Sequence, residues 1–264
     1  MYSFDYAKPK SVADAVSALK GDSDAKVLAG GMTLIPTLKQ RLAQPSQLVD
    51  LAKVPELKGI KREGDTLVIG AMTRHVEVAT SKEVLAAIPA LAHLAEGIGD
   101  AQVRNRGTIG GSVANNDPAA DYPAACLGLG ATIVTDRRQI PADQFFTGMF
   151  STALDEGELI TAVRFPIPQK AGYVKFPNPA SRYAMVGVMV AKTAGGVRVA
   201  VTGAGPSVFR VEAMEKALAA DFSAKAVAGI KVPSDDLNSD MHGSADYRAH
   251  LVGVMAKRAV EACG

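Results

Sequence analysis

Apolar residues in the first half of the chain alternate between helical spacing and short strand-like runs. Apolar positions at helical spacing follow Ser11, so a capped amphipathic helix is predicted from about residue 11 to 20. An Ala/Leu-rich stretch predicts one helix over 81–95. Short apolar runs predict strands at 27–29, 49–51 and 66–71. The pattern indicates a mixed α and β fold.

The second half begins with further strand-like runs and ends in helices. Strands are predicted at 132–135, 159–165 and 173–176, and 185–192 and 197–202 flank "TAGG" as the arms of a hairpin. Helices are predicted at 211–219 and 246–261, with the polar stretch "VPSDDLNSDMHGSAD" between them. The prolines and glycine of "FPIPQKAGY" indicate a boundary, so the C-terminal part is expected to start with antiparallel sheet.

Two double-glycine segments interrupt this pattern, "VLAGGMTLIP" at 27–36 and "RNRGTIGGSVANNDPAADYPAA" at 104–125. Glycine lets a ligand approach the backbone, and a turn into a helix N-terminus presents unpaired N–H groups suited to phosphate. In the first segment Thr33 is predicted to cap a helix whose first turn contains Pro36. The alternative is an ordinary strand-to-helix turn. Neither segment has the spacing of GxGxxG or of a P-loop, which disfavours a Rossmann site.

The pair is more specific than either segment alone, because a diphosphate carries enough charge to occupy two backbone nests. Thr108 and Ser112 can donate to phosphate, and Asp117 or Asp121 can accept from sugar or ribityl hydroxyls. The alternative is a loop of helix caps and Asx turns, which is the favoured interpretation for Asn115 and Asn116.

Composition narrows the classes of function. The chain has 264 residues, 48% apolar and 21% charged, which fits a globular protein of one large or two to three small domains. Its 29 basic and 27 acidic residues nearly cancel, and 5% aromatics without Trp disfavour nucleic-acid binding. The N-terminus lacks a signal-peptide pattern and no apolar run reaches about 18 residues, so a cytoplasmic protein without membrane insertion is expected.

Metal-site and catalytic signals are weak. The two cysteines belong to no paired motif, and the four histidines show no metal-ligand spacing. His93, within the Ala/Leu-rich helix, is predicted to be a packed core residue. No metal ligand and no catalytic residue is assigned.

Several segments together resemble one known family. They are "AGGMTLIPTLKQRLAQPSQLVDL", "IGAMT", "QVRNRGTIGGSVANNDPAADYPA", "GELITAVRFP", "YVKF" and "SADYRAHLVGVMAKRAVEA". Over essentially the whole chain the sequence is similar to the FAD-binding medium subunit of the molybdenum hydroxylases, the family of xanthine dehydrogenase and aerobic carbon monoxide dehydrogenase.

The resemblance implies an α+β fold of the vanillyl-alcohol-oxidase (PCMH) type. Two α/β FAD-binding subdomains, residues 1–55 and 56–170, would precede a C-terminal domain at 171–264 with a three-stranded antiparallel sheet and a helical bundle.

It also implies which residues hold FAD. The glycine motifs would bind the diphosphate, Asp121 would accept from FAD hydroxyls, Ile98 would lie near the adenine and Ile160 near the flavin. Tyr173 matches a tyrosine beside the isoalloxazine, although a strand tyrosine packed between domains is nearly as good an interpretation. Met32 is expected to contribute backbone contacts, because its thioether is a weak acceptor. The full predicted set is Ala29, Gly30, Gly31, Met32, Thr33, Leu34, Ile98, Thr108, Gly110, Gly111, Ser112, Asp117, Asp121, Ile160, Tyr173 and Lys175.

The implied function is the last step of a chemistry divided between subunits. A large molybdenum-cofactor subunit would hydroxylate the substrate, and a small iron–sulfur subunit with two clusters would relay electrons. FAD on this chain would then pass them to an external acceptor. Two alternatives stay open at this point, a self-contained FAD oxidoreductase of the same fold and a binding module for another anionic ligand. The Pro-rich segment 176–183 is predicted to form the rim of a partner-binding surface.

Overall fold

The first fifty residues form a small parallel sheet with helices in its connections. In the computed structural model, which describes residues 1–263, the elements in chain order are β1 (Asp5–Ala7), α1 (Val12–Lys20), β2 (Lys26–Leu28), α2 (Leu34–Lys39) and β3 (Gln47–Asp50). β3 lies in the centre and pairs in parallel with both neighbours. Ser11 caps α1 by accepting from the Asp14 N–H, which confirms the predicted start of this helix.

The next segment builds a five-stranded antiparallel sheet in the order β4-β5-β10-β6-β7. These strands are β4 (Ile60–Glu63), β5 (Thr66–Gly70), β6 (Thr132–Thr135), β7 (Gln139–Pro141) and β10 (Ile160–Pro166). The short β8 (Phe146–Gly148) and β9 (Ser151–Thr152) pair only with each other. Two 3-10 turns, Leu51–Lys53 and Pro55–Leu57, connect this sheet to the first one.

Seven helices lie within this segment. They are α3 (His75–Thr80), α4 (Lys82–Ala87), α5 (Pro89–Glu96), α6 (Ala101–Arg106), α7 (Ile109–Asn115), α8 (Tyr122–Leu129) and α9 (Ala142–Phe145). α8 is buried along its whole length, because it lies between this sheet and the C-terminal one. A Cβ atom at Gly128 would lie 2.6 Å from Met189 Cγ, so glycine is required for this close approach.

The single helix predicted over 81–95 is wrong, because Pro89 divides it. The residue before a proline avoids helical backbone, and Ile88 has φ −143° and ψ 74° between α4 and α5. His93 is also not a core residue. Its neighbours Ala92 and Leu94 are buried, whereas His93 lies on the exposed side of α5.

The C-terminal segment is an antiparallel sheet covered by helices. Its strands, in spatial order, are β11 (Lys170–Pro177), β12 (Ala184–Thr193), β13 (Gly196–Thr202) and β14 (Phe209–Arg210). The predicted hairpin is confirmed by the pairing of Thr193 with Gly196, and the two-residue β14 adds an edge to the three long strands. The helices are α10 (Glu212–Ala220), α11 (Ala224–Val227) and α12 (Ala245–Glu261).

Each sheet takes its strands from one consecutive stretch of chain, 5–50, 60–166 and 170–210. The boundaries placed after residues 55 and 170 stay predictions. In the described part of the chain, none of the helices combines the length and apolarity needed to cross a membrane.

Candidate functional site

A cavity of about 860 Å³ opens where the small parallel sheet meets the five-stranded sheet. The first glycine segment forms one wall and the second forms the facing wall, while 181–183 reaches it from the C-terminal sheet. The predicted residues that line it are Ala29, Gly30, Gly31, Met32, Thr33, Leu34, Ile98, Thr108, Gly110, Gly111, Ser112, Asp117, Asp121 and Ile160. The fold therefore brings both glycine segments to one site.

The first glycine turn forms a backbone nest. Within residues 1–263, the N–H groups of residues 30–34 take part in no hydrogen bond, and the first bonded donor after them is Ile35 N, which donates to the Gly31 carbonyl. Gly31 has φ +76°, a left-handed conformation that glycine adopts without steric cost. Consecutive N–H groups in such a turn form a concave site for an anion.

The predicted side-chain cap at Thr33 is wrong. Thr33 makes no capping hydrogen bond and has φ −102° and ψ −50°, so its hydroxyl is not directed at the N–H groups of α2. Its carbonyl instead accepts from the Thr37 hydroxyl at 2.9 Å. The absence of a cap leaves the donors of the first turn available.

The second glycine turn is built differently, and the prediction of a second backbone nest at the start of α7 is wrong. The N–H groups of Ile109 and Gly110 donate to the carbonyls of Thr73 and Ala71. Thr108 Oγ1 accepts from Gly111 N at 3.2 Å, and the Thr108 carbonyl accepts from Ser112 N. What remains is side-chain chemistry. Thr108 keeps its hydroxyl proton, and the Ser112 hydroxyl makes no hydrogen bond within the described residues, so both can donate into the cavity.

The glycines let these two turns touch. A Cβ atom at Gly30 would overlap the Arg106 carbonyl, and one at Gly111 would lie 3.0 Å from Thr108 Oγ1 and 3.5 Å from Ala29 Cβ. At Gly110, a Cβ atom would lie 2.5 Å from Ala71 Cβ, directly after β5. Gly30 and Gly110 are therefore required for close packing, whereas a side chain at Gly111 would extend between Thr108 and Ala29.

Asp121 is the buried acid of the site, and β11 holds it. The Tyr173 hydroxyl donates to Oδ1 at 2.5 Å and Lys175 Nζ donates to Oδ2 at 3.0 Å. Burial raises the pKa of the Asp121 carboxyl, while the Lys175 ammonium and the two hydrogen bonds oppose that rise. A carboxylate has about four acceptor positions, so Asp121 can accept further bonds from the cavity.

Tyr173 and Lys175 do not line the cavity, and their contact with FAD stays a prediction. They lie two residues apart on β11, so both side chains project from one face of the strand toward Asp121. Tyr173 is buried in the core, as the alternative interpretation of a packed strand tyrosine has it. Lys175 also donates to the Arg182 carbonyl at 2.9 Å. Both residues act on the site through Asp121.

Asp117 and Asn116 behave as turn residues, whereas Asn115 is the last residue of α7 and lines the cavity. Asp117 Oδ1 accepts from Ala119 N at 2.9 Å, which is an Asx turn, although Asp117 also lines the cavity. Asn116 ends α7 in the left-handed conformation with φ 42°. This confirms the interpretation of Asn116 as a turn residue.

Phe150 and His75, which were not predicted from sequence, also line the cavity, and so does Tyr183 of the segment 176–183. Tyr183 is the last residue of the Pro-rich segment and is exposed, whereas Tyr173, ten positions earlier, is buried. His75 is buried, and desolvation followed by the charge of Arg104 lowers its pKa to about 4, so it is neutral at pH 7. The only sequence signal for these residues was proximity to a motif.

Within residues 1–263 no group of three or more His, Cys, Asp or Glu side chains is arranged to hold a metal ion.

A buried carboxylate fixes the cavity wall formed by residues 154–160. Arg138 donates to Glu158 through Nε at 3.0 Å and Nη2 at 2.8 Å, and the Thr135 hydroxyl and Asp155 N–H donate as well. The hydrogen bonds from Arg138 are the largest cause that lowers the pKa of Glu158 from 4.5 to about 2.

This pKa predicts an acid-dependent contribution to stability. Because the unfolded chain takes up the proton first, the contribution is complete above pH 4.5 and is lost as pH falls toward about 2. We expect Glu158→Gln to lower the free energy of unfolding at pH 7, and the difference from the unchanged chain to shrink across that window. Urea unfolding at several pH values measures it. A difference that stayed constant from pH 7 to pH 2.5 would contradict this account.

Known proteins are similar to this chain over nearly its whole length. Residues 2–168 match the family model described as "FAD binding domain in molybdopterin dehydrogenase". The chain is 40% identical over 280 residues to the carbon monoxide dehydrogenase medium chain of Hydrogenophaga pseudoflava, covering 98% of this chain and 96% of that one. It is 37% identical over 273 residues to the nicotine 6-hydroxylase medium subunit of Paenarthrobacter nicotinovorans, covering 98% and 96%.

A solved structure shows the same fold. Carbon monoxide dehydrogenase from Hydrogenophaga pseudoflava, in a form lacking the Mo-pyranopterin moiety of the molybdenum cofactor, superimposes with a TM-score of 0.87 at 40% identity. The match covers 99% of this chain and 97% of that chain. The chain therefore belongs to the family of FAD-binding medium subunits of the molybdenum hydroxylases, and it is an oxidoreductase flavoprotein with FAD as its cofactor.

Proposed function

We propose that this chain is the electron-transfer subunit of a molybdenum-containing hydroxylase. It takes electrons from iron–sulfur clusters on a partner subunit and passes them to an external acceptor. The observation that carries the proposal is the nest of unpaired backbone N–H groups at residues 30–34, facing the Thr108 and Ser112 hydroxyls across one cavity. This arrangement suits the diphosphate of a dinucleotide.

The residues present fit FAD in other respects as well. The nest supplies neutral donors for the two phosphates, and Asp121 is a buried acceptor for a sugar or ribityl hydroxyl. Apolar side chains line the remaining walls for planar rings; they include Ala29, Leu34, Ile98, Leu154 and Ile160. A volume of about 860 Å³ is within the range of a large cofactor site.

FAD supplies the redox chemistry when bound, and the protein supplies binding, orientation and electrostatics. The residues predicted to hold it do so in three ways. The turn at 30–34 binds the diphosphate through its backbone, Thr108 and Ser112 add hydroxyl donors, and Asp121 orients a hydroxyl. Tyr173 and Lys175 keep Asp121 in place. No side chain of this chain needs to act as a general acid or base for electrons to arrive and leave.

The proposed partner subunits follow from the iron–sulfur clusters, for which this chain has too few cysteines. An iron–sulfur cluster is usually bound by four cysteines, and these 264 residues contain two, Cys126 and Cys263. We therefore assign the clusters to a small iron–sulfur subunit and the molybdenum cofactor to a large subunit. Relatives named for carbon monoxide and for nicotine align with this chain over nearly their whole length. Because such different substrates go with the same medium subunit, this similarity supports a substrate site on another subunit.

Asp121 gives the first test of the site. Asp121→Asn keeps the shape of the side chain but removes its charge, so we expect FAD affinity to fall by about 1–3 kcal/mol, the range for a hydrogen bond to a charged group. Asp117→Asn is the matched control, because an amide oxygen can still accept from Ala119 N. Titration of both apo-variants with FAD measures the difference. Equal losses at the two positions would show that the acid is misassigned.

Assembly tests the proposed role. When a tagged form of the full chain is isolated from cells that also produce its large and small subunits, we expect all three chains to elute together with flavin, iron and molybdenum. The segment 176–183 is our candidate for the rim of the contact, since its end at 181–183 lines the cavity. A tagged chain that carries FAD but elutes alone, with the other subunits assembled without it, would argue against the proposed complex.

A further inference from the structure

Phe150 is an apolar residue held in an unusual place. It lies at the tip of the β8–β9 hairpin, lines the cavity and is 57% exposed. Its φ is +52°, in the left-handed region where a turn normally has glycine or asparagine. A bulky aromatic residue there is unfavourable both for the backbone and for solvation, so packing of the chain alone gives no reason for it.

A buried asparagine braces this hairpin from below. Asn116 Nδ2 donates to the Gly148 carbonyl at 2.8 Å and to the Ser151 carbonyl at 2.7 Å, the residues on either side of the tip. The Asn116 carbonyl accepts from Phe150 N at 3.2 Å. Asn116 itself is 1% exposed and has φ 42°, and it does not line the cavity. The hairpin tip is thus held against the end of α7.

The brace fixes the backbone of the hairpin tip relative to the second glycine turn. α7 begins at Ile109, directly after Thr108, and ends at Asn115, so one short helix connects the donors Thr108 and Ser112 to the residue that holds Phe150. Ser112, Asn115 and Phe150 line the same cavity. A planar group bound beside Ser112 would therefore be close to Phe150, whose backbone is held in an unfavourable conformation.

We propose that Phe150 is a cofactor-contacting residue that packs against a planar ring of FAD, and that Asn116 is its positioning residue. The inference rests on FAD being bound in this cavity, and it adds a contact that neither glycine motif supplies. Aromatic side chains stack on flat heteroaromatic rings, which compensates for an exposed phenyl and a left-handed backbone once the cofactor is present.

The test separates binding from folding. We expect Phe150→Ala to weaken FAD binding to the full-length apo-chain by about 5- to 100-fold, the range found for aromatic–base stacking. Phe150→Gly should weaken binding at least as much and yet raise the melting temperature of the apo-chain, because glycine relieves the left-handed conformation. Met149→Ala is the matched control, since Met149 is on the same hairpin tip and 53% exposed but does not line the cavity.

A double-mutant cycle tests the role of Asn116. Asn116→Gly keeps a residue that tolerates φ 42° but removes both side-chain donors. Asn116→Gly should weaken FAD binding when Phe150 is present and have little further effect when Phe150 is already replaced by alanine. A purely structural role would instead give additive losses.

Unchanged FAD affinity in both Phe150 variants, with FAD still bound by the unchanged chain, would overturn this inference and leave the FAD site itself standing. If Phe150→Ala binds FAD normally but fails to assemble with the other subunits, the ring is a partner contact and the inference is equally refuted.

Discussion

Gly111→Val should remove FAD from a chain that remains folded. Gly111 lies in α7 without a left-handed φ, so valine is compatible with its backbone. Its Cβ would lie 3.0 Å from Thr108 Oγ1 and 3.5 Å from Ala29 Cβ, in the gap between the two glycine turns. The two methyl groups of valine extend further into the space that we assign to the diphosphate.

The expected loss of FAD affinity is large because a steric effect and the loss of a polar contact add. The valine would occupy space that we assign to the diphosphate, and it would also disturb Thr108, whose hydroxyl is one of the proposed donors. We expect FAD affinity to fall by about 100-fold or more, so that the purified variant is colourless.

Gly229→Val is the control for this experiment. A Cβ atom at Gly229 meets nothing within 4 Å, so the same chemical change is made where it has room. Flavin absorbance per chain and circular dichroism measure cofactor content and folding in both variants. A folded Gly111→Val chain with the flavin content of the control would mean that the diphosphate does not lie between the turns.

The fold was predictable from sequence where local patterns decide the structure. The spacing after Ser11 gave the correct start of α1, and the alternation around "TAGG" gave the β12–β13 hairpin. The helix over 81–95 was wrong because apolar spacing continues through Pro89 while the backbone cannot.

The candidate site was predictable mainly in its two glycine segments. Sequence could not separate Gly110 from Gly111, because what distinguishes them is a neighbour distant in sequence, Ala71 for one and Ala29 for the other. In the same way, the hydrogen bonds that occupy the first donors of α7 come from the carbonyls of Ala71 and Thr73. Such contacts are set by tertiary packing and leave no local pattern.

Tyr173 and Tyr183 also have roles that could not be predicted from sequence. Tyr173 lies within a strand whose face is covered by the core, and Tyr183 lies just after a turn that ends at the cavity. Both are tyrosines near a lysine or arginine in sequence, so composition does not tell them apart. Their roles follow from which one the sheet buries.

The isolated chain should be a competent flavoprotein and an incompetent hydroxylase. The residues described above account for a cofactor site, and the chain has two cysteines where the clusters of a relay would need more. Substrate added to the chain alone should therefore leave its FAD oxidised. A chemical reductant should reduce the same FAD, because that reaction needs only the bound cofactor.

Restoring the partners should restore the reaction. In the proposed complex, electrons from the substrate would have a route through the iron–sulfur subunit to FAD, and this chain would hold FAD where they arrive. A complex assembled with Gly111→Val should still take electrons from substrate into its clusters, but it should pass none to an acceptor that depends on FAD. The Gly229→Val complex should behave as the unchanged one.

The most direct test is anaerobic flavin reduction by a hydroxylase substrate, followed by absorbance, in the chain alone and in the reconstituted three-subunit complex. We expect flavin absorbance to bleach within the turnover time of the complex and to stay unchanged in the chain alone. Reduction of the FAD by substrate at a catalytic rate in the chain alone, free of the other subunits, would contradict it and would identify a self-contained FAD oxidoreductase.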